Sequence, residues 1–326
     1  MFTKTRVAVL RGGPSSEYET SLRTGATVLA HLPDAYHGLD VFVDKKGNWH
    51  LHGKREDPHK VLGKVDVVLN ALHGEYGEDG NLQNLLDAHG VPFTGPKQFS
   101  AALAMNKRLA KDILAKEGIR TPYAVLLRKE RVSNPTETAS ELYRTFPMPA
   151  VIKPVARGSS LGVSIARTAE EIAYALSLAL ELSDSVLIEE YIEGPEIVCG
   201  IIEGYRGEDL YTLLPVQVVL PPGSTFFDYH TKYSAGATYS IPSVSPDTRT
   251  ELQSMAADIH RLLGLRHYSS MDFIVHPRRG TYFLEADALP PLCDGSPFHA
   301  AVKGVGGTLP HFLEHLISLA LKRSNK

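Results

Sequence analysis

Apolar and polar positions alternate in two different rhythms over the first 96 residues. Short apolar runs predict strands and amphipathic stretches predict helices. The runs are 7–10, 39–43 and 65–70, and the stretches are 21–31 and 79–89. Strands that alternate with helices predict a parallel sheet covered on both faces. Ligands of such sheets bind at the carboxyl ends of the strands, so the loops 12–17 and 73–80 are the first candidate site.

The pattern changes after residue 96 and predicts two further units. The first holds helices at 98–117 and 136–145, a strand at 123–127, a hairpin around Lys153, and a helix that starts after Thr168. The second holds strands at 185–190, 196–203, 210–219, 268–275 and 281–286, then helices near 296–303 and 309–322. We therefore predict an α/β protein of three domains, with α+β character in the last two. The predicted domains are 1–96, 97–184 and 185–326.

Composition argues against several classes of protein. The chain has 326 residues, 43% hydrophobic and 22% charged, with a net charge of −3. That charge argues against a nucleic-acid binder, which usually has a basic surplus. No apolar run reaches the roughly 18 residues of a membrane span. No signal peptide is visible, and Cys199 and Cys293 lie far apart, so we expect a cytoplasmic protein without disulfides.

The most informative segment is 150–162, Ala-Val-Ile-Lys-Pro-Val-Ala-Arg-Gly-Ser-Ser-Leu-Gly. A short apolar strand delivers Lys153 to a glycine-rich loop, and a strand pattern resumes at 163–166. Backbone N–H groups of such a loop can fold over phosphates, because Gly158 and Gly162 do not block a close approach. The loop lacks Gly-Lys-Ser/Thr and does not lead into a helix, so it is not a Walker-type loop. It resembles the phosphate lid of an ATP-grasp enzyme.

Two acidic strand ends are candidate sites beside this loop. Glu285 and Asp287 share one face of a predicted strand, and Asp272 lies on the strand before it. Such an all-oxygen cluster suits Mg²⁺ held between carboxylates and phosphates. The apolar strand 186–192 leads to Glu196 and could hold an adenine, with Glu196 on the ribose. Solvated carboxylates and an ordinary edge strand are the alternatives.

Two other motifs suggest hydrolases. Residues 158–162 also match Gly-x-Ser-x-Gly, but that nucleophile motif needs a helix to follow, and a strand is predicted. Residues 311–315 match His-x-x-Glu-His within an amphipathic helix whose Phe312 and Leu313 suit a core. A serine hydrolase and a zinc protease are therefore both disfavoured.

The chain resembles D-alanine–D-alanine ligases from Val7 to about Leu321, and the matching stretches stand in the family's order. They are Gly12-Gly13-Pro14-Ser15-Ser16-Glu17 with Ser21-Leu22, Ala71-Leu72-His73-Gly74 with Gly77-Glu78-Asp79-Gly80, Phe93-Thr94-Gly95, Met105-Asn106-Lys107, Ile152-Lys153-Pro154, Gly158-Ser159-Ser160-Leu161-Gly162, Gly194-Pro195-Glu196, Phe227-Asp228-Tyr229 with Lys232-Tyr233, and Leu284-Glu285-Ala286. The resemblance implies an ATP-grasp fold and an ATP-dependent ligase that makes a peptidoglycan precursor. A homodimer is one possible assembly of such a protein, but the sequence does not decide the oligomeric state.

The resemblance also implies roles for the matching residues. ATP would be bound by Lys107, Lys153 and Ser160 at the phosphates, by Glu189, Glu190, Tyr191 and Ile192 at the adenine, and by Glu196 at the ribose. Mg²⁺ or Mn²⁺ would be bound by Asp272, Glu285 and Asp287. Glu17, Ser159 and Tyr233 would form a catalytic triad, with Glu17 on the ammonium of the first D-alanine. His73 would lie near the first substrate, and Lys232 and Ser296 would hold the second carboxylate.

Four positions depart from the family pattern. Ser270 replaces an arginine that holds the transferred phosphoryl group, and Asp287 replaces an asparagine. Pro291 replaces a glycine whose N–H supports an oxyanion hole, and proline has no N–H. Arg157 stands where the family often has glutamate. Two alternatives therefore stay open: a nucleotide-binding homologue with little ligase activity, and an ATP-grasp ligase for other substrates.

Overall fold

Three β-sheets with helices packed on them form the part of the chain described by the computed structural model, residues 4–155, 158, 161–221 and 238–323. The strands are β1 Thr5–Gly12, β2 Tyr36–Val43, β3 Trp49–Leu51, β4 Lys54–Glu56, β5 Val67–Asn70, β6 Ala124–Arg128, β7 Ala150–Pro154, β8 Ser164–Ala166, β9 Ser185–Glu190, β10 Glu196–Glu203, β11 Leu210–Thr212, β12 Val216–Val219, β13 Thr238–Ser240, β14 Tyr268–His276 and β15 Gly280–Asp287. The α-helices are α1 Tyr18–His31, α2 Pro58–Leu62, α3 Asn81–Ala88, α4 Gln98–Met105, α5 Lys107–Lys116, α6 Pro135–Thr145, α7 Ala169–Leu182, α8 Pro246–Leu262, α9 Pro297–Gly304 and α10 Leu309–Arg323. Among these, no helix combines the length and apolar character needed to cross a membrane.

The first sheet has the order β4-β3-β2-β1-β5. Strand β1 runs parallel to β2 and β5, as predicted, while β3 and β4 add an antiparallel edge. The prediction of a purely parallel sheet was therefore wrong at this edge. Each of the two edge strands has only three residues, and Lys54-Arg55-Glu56 is fully polar, so no apolar alternation marked them. The loops after β1 and β5 leave the same end of the sheet.

The second sheet is antiparallel throughout, in the order β6-β9-β7-β8. The predicted Lys153 hairpin is present as β7 and β8. The middle strand β9 begins at Ser185, so the predicted boundary between 184 and 185 cuts this sheet. We propose a boundary after Glu190 instead, because backbone hydrogen bonds join β9 to both neighbours.

Helix α7 begins where the capping pattern predicts. Thr168 Oγ1 accepts a hydrogen bond from the Glu171 N–H at 3.2 Å. The Glu171 carboxylate returns to the N–H of Arg167 at 2.6 Å, one residue before the position of a standard capping box. Both bonds satisfy donors at the helix start and fix the chain that leaves β8.

The third sheet has the order β13-β12-β10-β14-β15. Strand β11 also pairs with β10, along residues 201–203 and on the same edge as β12. Helix α8 covers this sheet and was not predicted. Its buried positions Leu252, Ala256 and Ile259 follow a helical period, and Ser245 caps its first turn by accepting from the Thr248 N–H at 3.1 Å. This helical periodicity is visible in the sequence. It was not recognised because the helix follows directly on the polar segment 221–245.

The first and third sheets share a core. Val7 and Val9 of β1 belong to the same buried cluster as Phe312 and Leu316 of α10. Arg266 also donates to the carbonyl of Gly95 at 2.7 Å, which ties the end of the first unit to the third. The carboxyl end of the first sheet is thereby held over the hairpin β14–β15.

Candidate active site

Two neighbouring cavities lie between the three sheets, with volumes of about 250 Å³ and about 120 Å³. Lys107, Asp272 and Glu285 line both of them. Lys107 comes from the first turn of α5, and the two carboxylates come from adjacent strands. One cation and two carboxylates therefore stand where the cavities adjoin.

The loops after β1 and β5 form one wall of the larger cavity. Ser15 Oγ donates to the His73 carbonyl at 2.6 Å and accepts from the Glu17 N–H at 3.0 Å. Ser21 Oγ accepts from the His73 N–H at 2.8 Å, and Thr24 Oγ1 lies 3.0 Å from His73 Nε2. These bonds fix Glu17, which is only 6% exposed, and His73 against each other.

Gly158 of the glycine-rich loop lies against Glu17. A Cβ placed on Gly158 would overlap Glu17 Oε1, so a larger residue at this position would require the Glu17 carboxylate to move. The neighbouring Ser159 and Ser160, with Lys232 and Tyr233, lie outside the described residues. Their predicted roles stay predictions.

A buried acidic pair lies beside His73. The Glu78 carboxyl group accepts from the Gly74 N–H at 2.6 Å, and the Asp287 carboxyl group accepts from the Leu289 N–H at 3.0 Å. The two carboxyl groups also share a hydrogen bond, which requires a proton on one of them. Burial raises the pKa of the Glu78 and Asp287 carboxyl groups well above their usual range. Repulsion from Glu17 adds to the shift at Glu78, and repulsion from Glu78 and Glu17 adds to the shift at Asp287. Burial lowers the pKa of His73, so its imidazole is neutral near pH 7.

The predicted carboxylates are brought together only in part. Asp272 and Glu285 pair directly across β14 and β15, next to a register shift between Asp272 and Phe273. Asp287 pairs with Ser270 further along the hairpin and bonds Glu78. Within the described residues, no three His, Cys, Asp or Glu side chains are grouped closely enough to hold a metal ion. The three predicted ligands therefore do not form one group in the described structure, and their role as metal ligands stays a prediction.

Two carboxylates nevertheless suit Mg²⁺. This ion commonly takes one or two protein carboxylates and completes its shell with water and substrate phosphates. Asp272 and Glu285 both line the shared part of the cavities, and Glu285 Oε2 already lies 2.9 Å from the Lys107 ammonium. The donor set therefore fits a divalent cation bound together with a phosphate.

The smaller cavity has a charged floor. Lys153 Nζ lies 2.7 Å from Glu189 Oε2, and the ammonium of Lys111 bonds Glu189 Oε1. All three side chains are buried. Both carboxylate oxygens of Glu189 bind lysines, so the side chain is occupied and the predicted contact of this strand with adenine, which involves backbone groups, stays a prediction. Lys111 was missed, since it stands 78 residues before Glu189 and carries no local motif.

The rest of the smaller cavity is mostly apolar. The Glu190 carboxylate accepts three bonds from Arg279, at 2.9, 3.0 and 2.9 Å, and one from the Tyr123 N–H at 3.0 Å. Other lining residues are Val151, Leu161, Ile165, Tyr191, Ile192, Glu196, Ile274 and Leu284. Apolar walls with a few polar groups are typical of a nucleotide-base pocket.

Ser296 and three of the four departures from the family pattern, Ser270, Asp287 and Pro291, line the larger cavity. Arg157 lies outside the described residues. Ser296 Oγ donates to the Pro291 carbonyl at 2.6 Å and accepts from the His299 N–H at 3.2 Å, so it also caps α9. Ser270 is 4% exposed beside Asp287. Among the described lining residues, Arg23 and Lys107 are the only arginine or lysine. Sequence reasoning missed Arg23, which is one of several polar residues on α1.

The fold and these cavities define a class of protein. Two antiparallel sheets enclose the smaller cavity. Lys153 comes from the second sheet, Asp272 and Glu285 come from the third sheet, and Lys107 comes from α5, which packs on the third sheet. This is the ATP-grasp arrangement. The predicted fold class is confirmed.

The chain belongs to the D-alanine–D-alanine ligase family. The family models described as D-ala D-ala ligase N-terminus and C-terminus match residues 51–96 and 113–318. The chain is 37% identical to a D-alanine–D-alanine ligase of Geobacter sulfurreducens, over 88% of this chain and 84% of that protein. The VanG D-Ala:D-Ser ligase of Enterococcus faecalis has a TM-score of 0.81 and 26% identity, covering 98% of this chain and 100% of that one. The D-alanine–D-alanine ligase of Bacillus anthracis complexed with ATP has a TM-score of 0.78 and 25% identity, covering 98% and 99%.

Proposed function

We propose that this protein is an ATP-dependent ligase that joins two D-alanine molecules through an acyl phosphate, to supply a precursor of peptidoglycan in the cytoplasm. One observation carries the proposal. The base-sized cavity and the larger polar cavity share Lys107, Asp272 and Glu285, so a phosphoryl group could pass from a nucleotide in one to a carboxylate in the other.

The smaller cavity is proposed to bind ATP. Lys153 and Lys107 would pair with the phosphates, and Tyr191 and Ile192 would border the adenine. Glu196 would bond the ribose. The backbone of Glu189 and Glu190 remains a candidate partner for the base, because the carboxylate groups of both residues are held by cations. Ser160 stays a candidate phosphate ligand by resemblance alone.

The larger cavity is proposed to bind the amino acids. Glu17 would hold the ammonium of the first D-alanine close to His73, and Ser296 with Lys232 would hold the carboxylate of the second. Ser159 and Tyr233 would join Glu17 and orient the attacking amine. Asp272, Glu285 and Asp287 would hold Mg²⁺ or Mn²⁺, which supplies positive charge to the phosphates when bound.

These residue types suit the reaction. A carboxylate is a poor electrophile, and phosphorylation gives it a leaving group. The γ-phosphate and the carboxylate are both anions, so Lys107 and Lys153 must offset their repulsion. The acyl phosphate must also be kept from water, which gives a reason for the glycine-rich loop to close on Glu17.

The direct test measures ADP release by the full chain with ATP and Mg²⁺, with and without D-alanine, and identifies the product by mass spectrometry. We expect ADP release to require D-alanine and the product to be the dipeptide. ATP binding without D-alanine-dependent ADP release would indicate a nucleotide-binding homologue. Release with D-serine or another amino acid in preference to D-alanine would indicate a different substrate.

Ser270→Arg is expected to raise D-alanine-dependent ADP release about tenfold, which requires only roughly 1.4 kcal/mol of transition-state stabilisation. The arginine would place a cation beside Asp287, the cross-strand neighbour of Ser270, and near Glu78. Only interactions that strengthen in the transition state raise turnover, so the affinity for ATP should change little.

Ser270→Met is the matched control for this prediction, because it adds length without charge and should give no gain. The measurement is the rate of ADP release at saturating ATP. A slower Ser270→Arg enzyme would show that a cation already present, such as Arg23 on the same cavity, serves the phosphoryl group.

A further inference from the structure

Lys111 is a buried lysine that the proposed reaction does not use. It is 4% exposed, it lines neither cavity, and its ammonium bonds Glu189 Oε1. It stands four residues after Lys107 on α5, so the two side chains leave the same face of the helix. Lys107 reaches Glu285 in the shared part of the cavities, while Lys111 reaches the floor beneath Lys153.

The charges around Glu189 do not cancel. Glu189 offers one negative charge to two ammonium groups, Lys111 at Oε1 and Lys153 at Oε2. The trio therefore carries a net charge of about +1 when all three groups are ionised. Burying net charge is costly, and a counter-charge nearby reduces that cost. A phosphate in the smaller cavity, which Lys153 lines, would provide such a counter-charge.

Without Lys111 the balance would change. Glu189 and Lys153 would then form a neutral one-to-one pair in a buried place, and a phosphate would have to compete with Glu189 for the Lys153 ammonium. An opposite charge 2.7 Å away at low dielectric is a strong competitor. Lys153 would therefore attract a phosphate much less strongly.

We propose that Lys111 is a positioning residue that neutralises Glu189 and so leaves the positive charge of Lys153 for the phosphates of ATP. This inference rests on the proposed function in one respect, that Lys153 binds phosphate. It assigns a task to a residue that touches neither substrate. It also explains why the carboxylate of Glu189 lies beneath a phosphate site that it would otherwise repel.

The pKa values of Lys111 and Lys153 agree with these two different roles. Burial lowers the pKa of Lys111 to about 7, although Glu189 opposes the shift. Burial also disfavours the charge on Lys153, but the carboxylates of Glu189 and Glu285 outweigh it and raise its pKa. Lys107 adds a further cation from Lys111's own helix. Lys111 is therefore the member that loses its proton first as the pH rises.

The test is calorimetric titration of the full chain with ATP and with adenosine. Lys111→Met should weaken ATP binding at least about tenfold and leave adenosine binding unchanged, because adenosine has no phosphate. Lys111→Arg keeps the charge and should bind ATP within about threefold of the unsubstituted protein. The KM for D-alanine should not change in either variant.

A double substitution separates charge balance from lost packing. Lys111→Met with Glu189→Gln removes one cation and one anion together, so ATP affinity should recover most of the loss seen in Lys111→Met alone. Thermal melting of each variant checks that it folds. If Lys111→Met weakens adenosine as much as ATP, or if the double variant binds no better than the single one, Lys111 has only a structural role and the inference fails.

The pH profile is an independent readout. Above a pH of about 7 the unsubstituted protein should lose ATP affinity relative to Lys111→Arg, because arginine stays charged. The ionisation of ATP itself is common to both proteins and cancels in the ratio. A constant ratio between pH 6 and 9 would count against the inference.

Equal ATP binding by Lys111→Met and the unsubstituted chain would refute the role of Lys111 alone, whereas no ATP binding by the unsubstituted chain would refute the proposed function.

Discussion

Lys153→Ala is expected to weaken ATP binding by about a hundredfold, or roughly 2.7 kcal/mol. The side chain is 7% exposed and lines the smaller cavity, so its bond to a phosphate would form largely out of water. Charge-assisted hydrogen bonds are typically worth about 1.5–3 kcal/mol. The substitution would also leave Lys111 as the remaining cation of Glu189, so these two side chains would form a neutral pair. Isothermal titration with ATP gives the affinity directly.

Two variants control this measurement. Lys153→Arg keeps the charge and should retain most of the affinity, with a loss below about tenfold from altered geometry. Lys97→Ala removes a lysine whose side chain is 63% exposed and lies 3.4 Å from Asp87, away from both cavities, and should change nothing. Unchanged ATP affinity in Lys153→Ala would contradict the assignment of the smaller cavity to the nucleotide.

The two lysines of the Glu189 trio differ in their expected effects. Lys153→Ala removes a proposed phosphate ligand, while Lys111→Met removes a cation that reaches the phosphate only through Glu189. Lys153→Ala should therefore lose more ATP affinity than Lys111→Met. A larger effect at 111 than at 153 would mean that Lys111, not Lys153, turns toward the phosphates when ATP is bound.

Elements with a long, periodic apolar face could be predicted from the sequence. The helices 18–31 and 169–182 and the strands of the Lys153 hairpin fall where the pattern indicated, because each buries a regular stripe or follows clear turn and cap signals. The three-residue edge strands of the first sheet could not be predicted in this way. Their pairing depends on β2, not on their own residues.

The candidate site could be predicted where its members share a motif. Lys107, Lys153, Asp272 and Glu285 all line the smaller cavity, and their roles there stay predictions. Which carboxylates cluster could not be inferred, because alternation along β15 places Asp287 beside Glu285 in the pattern, while its position opposite Ser270 brings it to Glu78. Arg23 and Lys111 carry no motif, and only the packing of helices on sheets brings them to the site. Contacts between residues far apart in sequence are the part that local patterns do not encode.

Glu17→Gln is expected to lower kcat/KM for D-alanine by at least about a hundredfold, or roughly 2.7 kcal/mol, while leaving the affinity for ATP within about twofold. The substitution keeps the size of the side chain and removes the charge that would bind the ammonium of the first D-alanine. Glu17 is 6% exposed and lines the larger cavity but not the smaller one, so the effect should be confined to the amino-acid site.

The control for this prediction is Glu19→Gln, which removes an exposed carboxylate from the first turn of the same helix and should be silent. ADP release as a function of D-alanine concentration, together with calorimetric ATP titration, separates the two sites. If Glu17→Gln instead weakens ATP binding and leaves the D-alanine dependence intact, then Glu17 acts through the glycine-rich loop that it contacts at Gly158. The first D-alanine would in that case owe its ammonium contact to the other buried carboxylates of the cavity, Glu78 and Asp287, and the acidic pair would become the centre of substrate recognition.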